Sequence, residues 1–334
     1  MSRAAIVFAA LLALLLPLSL LAGRVWIDPF AGAPSTPNAV LILMELRLPR
    51  AVLAVLIGAG LGAAGAAMQG YLRNPLADPG LFGIAPTAAL GAVASFWFAA
   101  WLPPALAQWS LPAFALAGAG LAMALLALIA GRSLSDGAAG SGGGIALFTL
   151  AGLMIASLAG ALTALAITLA PNAFALSQIV MWLNGALTDR SWHEVWIAAP
   201  LIVAGIAALA LAARSLDALT LGEEAARSLG VNPRRLLWLL IAGIGLTVGA
   251  SVAVAGIIGF VGLIVPHLVR PLTDRLPSSL LVPSALAGAC LVLVADSAVR
   301  VLPLVTELRL GIALSLIGAP FFLWLLLRMR RGEL

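Results

Sequence analysis

Apolar runs of about 20 residues recur along almost the whole chain, separated by short polar segments. A helix of roughly 20 apolar residues crosses the hydrocarbon core of a bilayer, so each run predicts a membrane span. Ten spans are expected, at residues 4–23, 48–70, 80–102, 111–131, 146–169, 191–213, 235–253, 256–271, 280–299 and 310–328. The eighth is short and bounded by Gly and Pro. The pattern therefore predicts an all-α, polytopic membrane protein with a single transmembrane domain over residues 1–334.

One polar stretch, Thr220–Arg235 (TLGEEAARSLGVNPRR), stands out because it is unsuited to lipid. It predicts a short surface helix near 220–231 that begins after Gly222 and stops at Gly230. Acidic residues in its first turn and Arg227 near its end complement the helix dipole. Two interpretations stay open: a contact surface for a partner, or a solvated connector between two spans.

Between the fifth and sixth spans, Pro171–Asp189 (PNAFALSQIVMWLNGALTD) is too short and too polar to be another span. It predicts a half-helix near 173–187 at the outer face, ended by Asn184-Gly185. Non-spanning helices are tolerated where they face protein or a water-filled cavity. The alternative is an interfacial helix anchored by Trp182.

Composition narrows the class of protein. The chain is 63% hydrophobic and 9% charged, with a mean hydropathy of +1.14, which excludes a soluble globular domain. Its single cysteine, Cys290, cannot form an internal disulfide. All 18 basic residues are arginine, so the chain has no lysine for a P-loop. The net charge of +5 is explained by membrane topology, and no nucleic-acid partner is expected.

The arginines also predict the orientation. If both termini are cytoplasmic, twelve arginines lie inside and six outside, in agreement with the positive-inside rule. The N-terminal apolar run from Ala4 to Ala22 exceeds a usual signal-peptide core, so it is interpreted as an uncleaved first span.

Charged residues are scarce within the spans, which argues against an ion-coupled secondary transporter. Asp296 lies near the outer end of the ninth span, and an i,i+4 pair with Arg300 is expected. Neither histidine has a companion at metal-ligand spacing, so no metal site is predicted.

Three arginines on the expected outer side, Arg47, Arg50 and Arg300, invite an explanation. Guanidinium groups bind carboxylates bidentately, which suggests docking of an acidic partner. The alternative is that they snorkel to lipid headgroups. On the inner side, the connector Tyr71–Gly83 contains two prolines; it would line the mouth of a pathway or simply turn the chain.

Several motifs in order resemble a known family: ELRLPR, GAGLGAAGAAMQGYLRNPLADPGLFG, TLGEEAARSLGV, GFVGLIVPHLVR, the AD before Arg300, and GAPFFLWLLL. The chain resembles, over about residues 40–328, the permease subunits of bacterial binding-protein-dependent ABC importers for iron chelates and cobalamin. The resemblance implies a cobalamin-permease-like type II ABC importer fold in the inner membrane, with both termini cytoplasmic.

The same resemblance implies partners and roles. The chain would form a homodimer, with two ABC ATPase subunits on the cytoplasmic face and a periplasmic substrate-binding protein outside. It would be a transport subunit and not an enzyme, with no cofactor of its own, because ATP and Mg would bind to the ATPase. The cargo would be a ferric siderophore, haem or cobalamin, and the sequence does not select among them.

The family's functional residues carry over to matching positions of this sequence. The ATPase coupling residues are Gly222, Glu223, Glu224, Ala225, Arg227, Leu229 and Gly230. The binding-protein docking residues are Arg47, Arg50 and Arg300. The inner-gate residues are Asn74, Leu76, Gly144 and Ile145.

This sequence departs from the family pattern at Ala85-Pro86 and in the loop Gly137–Gly144. Two alternative functions stay open at this point: an ion-coupled secondary transporter and a structural membrane scaffold.

Overall fold

A computed structural model describes residues 2–23, 39–98, 102–135, 143–170 and 172–330 of the chain. The departure at Gly137–Gly144 lies mostly outside these residues. Within them the secondary structure is entirely helical, with no strand. The helices are α1 (Arg3–Leu21), α2 (Ala39–Leu41), α3 (Leu48–Tyr71), α4 (Ile84–Phe98), α5 (Pro104–Ser135), α6 (Gly143–Thr168), α7 (Ala173–Leu183), α8 (Trp192–Leu219), α9 (Glu223–Ser228), α10 (Pro233–Ala255), α11 (Val261–Val269), α12 (Pro277–Val301) and α13 (Leu310–Arg330).

Eight helical segments of the described residues are long and apolar enough to cross a membrane. One of them joins α2 and α3 through a π-helical segment, Ile42–Arg47, into a single helix over Ala39–Tyr71. The predicted third and eighth spans are shorter, because α4 has 15 residues and α11 has nine. The all-α membrane fold predicted from the apolar runs is thereby confirmed.

The backbone conformation explains why α4 and α11 are short. Gly256 has a φ of +72° and ends α10, and Phe260 at φ +67° precedes α11, so the segment between them cannot be helical. Likewise Gly83, at φ +72°, separates a 3₁₀ turn at Pro79–Phe82 from α4. Pro86 falls in the first turn of α4, where a missing N–H costs no helical hydrogen bond.

Helix α3 lies at the centre of the bundle, in contact with α8, α10, α11 and α12. Its glycines permit this position. A Cβ on Gly58 would lie 2.2 Å from the carbonyl oxygen of Gly288 in α12, and one on Gly65 would lie 2.0 Å from that of Gly262 in α11. Small residues let the helix backbones touch, as is common in membrane bundles.

Candidate functional site

The polar stretch forms a rigid turn between two long helices. After α8, Gly222 adopts φ +103°, α9 covers Glu223–Ser228, and Gly230 adopts φ +87°. The Val231 N–H donates to the Ala226 carbonyl at 3.0 Å, and the Gly230 N–H donates to the Arg227 carbonyl at 2.9 Å. These two bonds are a Schellman motif, in which a left-handed residue, usually glycine, ends a helix.

The outward surface of this turn is partly apolar. Ala226 is 2% exposed and anchors α9 to the bundle, whereas Leu221 and Leu229 are 67% and 65% exposed. A Cβ on Gly222 or Gly230 would meet nothing within 4 Å. Glu223 and Arg227 form an i,i+4 ion pair at 3.8 Å. We call residues 221–230 the α9 surface.

All seven residues predicted for ATPase coupling lie on the α9 surface. Leu221, which the sequence did not single out, is exposed on the same surface. The signal that could have found it was an apolar residue next to the helix-opening glycine of a polar stretch.

At the same end of the bundle, local hydrogen bonds shape the connector after α3. The Asn74 carboxamide oxygen accepts from the Leu76 N–H at 2.9 Å, which closes a tight turn. The Asp78 carboxylate accepts from the Gly80 N–H at 2.7 Å and starts the 3₁₀ turn. Burial raises the pKa of Asp78, against the lowering effect of this hydrogen bond.

The 3₁₀ turn contacts the first half of α6. Phe82 is fully buried and meets the Phe148 ring edge-on, with centroids 4.5 Å apart. Gly152 lies so close that a Cβ there would be 2.3 Å from the Leu81 carbonyl oxygen. Of the predicted gate residues, Asn74 and Leu76 therefore lie on the connector, and Gly144 and Ile145 lie in the first turn of α6, the helix it packs against. Sequence reasoning missed the two phenylalanines, because apolar residues carry no signal in an apolar chain.

The opposite end of the bundle carries an arginine–carboxylate cluster, made of Arg47, Arg50, Asp296, Arg300 and Glu307. The Arg50 Nε donates to Asp296 at 2.9 Å, and the other end of its guanidinium pairs with Glu307. The Arg300 Nε lies 3.2 Å from the fully buried Asp296 carboxylate, so the i,i+4 pair expected from the sequence is present.

The arginines of the cluster also hold α1 in place. Arg300 donates to the Ser19 hydroxyl at 2.8 Å. Arg47 donates to the carbonyl oxygens of Leu20 and Leu21 at 2.8 and 3.0 Å, where the helix dipole favours a cation.

The three arginines predicted to dock a binding protein are thus buried, at 7–8% exposure, and not displayed on the surface. They are buried because each one finds carboxylate, hydroxyl or carbonyl partners inside the bundle. Docking through them stays a prediction.

The half-helix α7 is hydrogen-bonded, through the turn at its C-terminus, to the end of α10 and the start of α13. Asn184 caps its C-terminus and Gly185 turns the chain at φ +64°. The Ala186 N–H donates to the Ala255 carbonyl at the end of α10 (2.8 Å), and the Gly311 N–H donates to the Gly185 carbonyl (3.1 Å). Trp182 is only 9% exposed, so it is a packing residue in this chain and not an exposed interfacial anchor.

Glu307 belongs to the loop between α12 and α13, residues 302–309, and lines a cavity of about 570 Å³ with Thr188 and Arg309. Burial raises its pKa, but hydrogen bonds and charge from Arg50 outweigh burial and hold the pKa of Glu307 below its ordinary value. The cluster is therefore most stable with Glu307 ionised.

Comparison with known proteins identifies the class of this bundle. Residues 11–328 match the FecCD transport family. The chain is 40% identical to the hemin transport system permease protein HmuU of Yersinia pestis, over 86% of this chain and 84% of that protein. It is 37% identical to the vitamin B12 import system permease protein BtuC of Escherichia coli O9:H4 (strain HS), over 96% of this chain and 94% of that protein.

A solved structure described as an inward-facing metal-chelate type ABC transporter superposes with a TM-score of 0.85 at 29% identity, covering 97% of this chain and 98% of that one. The match therefore extends from sequence to the whole helical architecture. On both grounds, this multi-pass membrane protein is a transport permease that belongs to the FecCD transport family.

Proposed function

We propose that this chain is the membrane-spanning permease of an ATP-driven importer that moves a large metal chelate from the periplasm to the cytoplasm. The observation that carries the proposal is the similarity, over nearly the whole chain, to permeases named for hemin transport and vitamin B12 import. A ferric siderophore, haem or cobalamin is the proposed cargo. An ion-coupled carrier is disfavoured, because nothing among the relatives supports it.

The α9 surface is proposed to receive the ATPase. A short exposed helix with two leucines beside an ion pair suits insertion into a groove of a partner, where apolar anchors supply most of the affinity. The Schellman motif fixes α9 to the segment that leads into α10, and α8 directly precedes it. A displacement of α9 by the ATPase would therefore be transmitted to both α8 and α10. ATP and Mg would bind to two copies of the partner, and this chain would bind no cofactor.

The proposed orientation places the α9 surface and both termini in the cytoplasm, with the protein in the inner membrane. The distribution of arginines, twelve inside against six outside, supports it. The arginine–carboxylate cluster would then face the periplasm. A second copy of this chain would complete the permease, and that homodimer rests on the family resemblance.

Docking of the binding protein is proposed to involve an exchange of carboxylates. Glu307 occupies one end of the Arg50 guanidinium and is the most exposed acid of the cluster, at 20% of its side chain. A carboxylate of the binding protein would have to displace Glu307 to reach Arg50. Asp296 would remain bound to Arg50 and Arg300 throughout.

The function is tested by the ATPase activity of the permease, co-purified with its ATPase and reconstituted in liposomes. The binding protein is added empty or loaded with haem, a ferric siderophore or cobalamin. Stimulation by one loaded form is expected, and it would name the cargo. Failure to associate with any ATPase, together with uptake driven by an ion gradient, would overturn the proposal in favour of a secondary transporter.

The coupling role is tested in the same assay with Leu221→Ser/Leu229→Ser. Burying an exposed leucine side chain is worth about 1.5–3 kcal/mol, so stimulation should fall by about tenfold or more while the helical content is unchanged. Leu272→Ser is the matched control, since this leucine is 58% exposed at the same end but lies outside the α9 surface. Equal stimulation in both variants would contradict the coupling assignment.

A further inference from the structure

A cavity of about 220 Å³ opens at the α9 end, between the end of α3, the turn after α8 and the connection from α11 to α12. Three arginines line it: Arg73 from the connector after α3, Arg270 from the end of α11, and Arg275 before α12. Gln69 and Thr220 add neutral polar groups. The cavity thus brings Arg73 beside Arg270 and Arg275, which lie close to each other but far from Arg73 along the chain.

The lining of this cavity is basic, and the nearby Asp217 and Asp274 do not belong to it. None of its described lining residues is acidic, and none of the three arginines forms an ion pair with a carboxylate among the residues that the structure describes. The arginines of the opposite end, Arg50 and Arg300, in contrast share Asp296. Like charges held close together repel one another, so this arrangement is suited to an anion from outside the chain.

One guanidinium also has an unsatisfied buried donor. Arg270 donates from one terminal nitrogen to the Gln69 side-chain oxygen at 2.8 Å, which orients the group. Its Nε is buried and has no hydrogen-bond partner within the described chain. A buried charged donor without a partner is costly, so the Arg270 guanidinium has hydrogen-bonding capacity that the described chain does not fill.

The backbone at the cavity is held in unusual conformations. Arg73 has a φ of +48° and Arg275 has a φ of +68°, in the left-handed region that arginine rarely adopts. Such strain costs about 1–3 kcal/mol per residue and concentrates at ligand sites. Two of the three lining arginines therefore depart from ordinary backbone geometry at the same place.

We propose that this cavity binds a phosphate group. The planar guanidinium fork matches two phosphate oxygens, and three arginines would neutralise a mono- or dianion. The cavity lies beside the C-terminal ends of α3 and α8 and the N-terminal end of α12. Basic pockets between spans bind anionic lipid headgroups. An anionic phospholipid and soluble phosphate are the two sources of this chemistry.

Occupancy would link two segments with separate proposed roles. Arg73 lies on the connector after α3, next to the predicted gate residue Asn74, and Thr220 precedes the α9 surface. A phosphate bridging them would hold the connector and the coupling turn together. Binding itself does not depend on the identity of the cargo or on the importer function.

The test uses the purified full-length chain and native mass spectrometry with two lipids, dioleoylphosphatidylglycerol and dioleoylphosphatidylcholine. Wild-type protein should retain the anionic lipid preferentially, and Arg270→Gln/Arg275→Gln should lower its affinity about tenfold or more. The matched control is Arg234→Gln/Arg235→Gln, which removes two exposed arginines at the start of α10 that do not line the cavity.

A second arm adds inorganic phosphate and measures both its binding and its displacement of the lipid. Binding of phosphate without the anionic lipid would support the site and assign a soluble source. Arg275→Lys, which keeps the charge but loses the fork, should give an intermediate affinity and guards against a folding defect. The proposal is overturned if neither probe binds, or if the control variant loses as much affinity as the cavity variant.

Discussion

The two ends of the bundle treat their charged side chains in opposite ways. At one end, Asp296 is fully buried and shared by Arg50 and Arg300. At the other end, the ion pair between Glu223 and Arg227 is partly exposed, on a turn that displays two leucines. The difference teaches that similar residue types hold helices together at one end of the bundle and stay partly exposed to solvent at the other.

Burial decides the energetic role of each pair. Breaking a buried pair leaves an uncompensated charge in a medium of low polarity, whereas an exposed pair is screened by water and contributes little. The arginine–carboxylate cluster should therefore govern stability, and the α9 surface should govern function with little effect on folding.

The largest expected effect on stability is that of Asp296→Ala. This change strands two buried guanidinium groups, so it should destabilise the protein by about 3–5 kcal/mol, measured as a lower thermal unfolding midpoint in detergent. Glu223→Ala is the matched control, and removing its partly exposed i,i+4 pair should cost about 0.5 kcal/mol or less. If the two variants melt alike, the contrast between the two ends is wrong.

A smaller effect is expected from acidification. The pKa of Glu307 is held below its unfolded value, so the unfolded state takes up the proton first and the stabilisation is lost as pH falls below about 4.3. Glu307→Gln cannot titrate. Its stability difference from the wild type should therefore be largest near neutral pH and shrink on acidification, in unfolding scans of both proteins. A difference that stays constant with pH would show that the charge on Glu307 is irrelevant to the cluster.

The sequence predicted the features whose causes are local. The apolar runs predicted the helices, and the α9 turn was predictable because Gly222 and Gly230 bracket it and both adopt positive φ. The half-helix α7 ends at Asn184-Gly185 for the same kind of reason.

The features that sequence reasoning missed have distant causes. Arg50 forms an ion pair with Glu307, which lies 257 residues away, and no local sequence pattern indicates that pairing. The three arginines of the cavity at the α9 end likewise come from two distant segments, since Arg73 follows α3 whereas Arg270 and Arg275 connect α11 to α12. The division of α10 and α11 depends on Phe260 in a left-handed conformation, which its residue type disfavours.

The central claim, that the two ends meet different partners, is tested most directly by photo-crosslinking in the reconstituted complex. A benzophenone maleimide is attached to Leu229→Cys on the α9 surface or to Leu304→Cys on the 302–309 loop, in a Cys290→Ala background. Crosslinks from position 229 to the ATPase and from position 304 to the binding protein are predicted. The reverse pattern, or crosslinks from both positions to the same partner, would contradict the account.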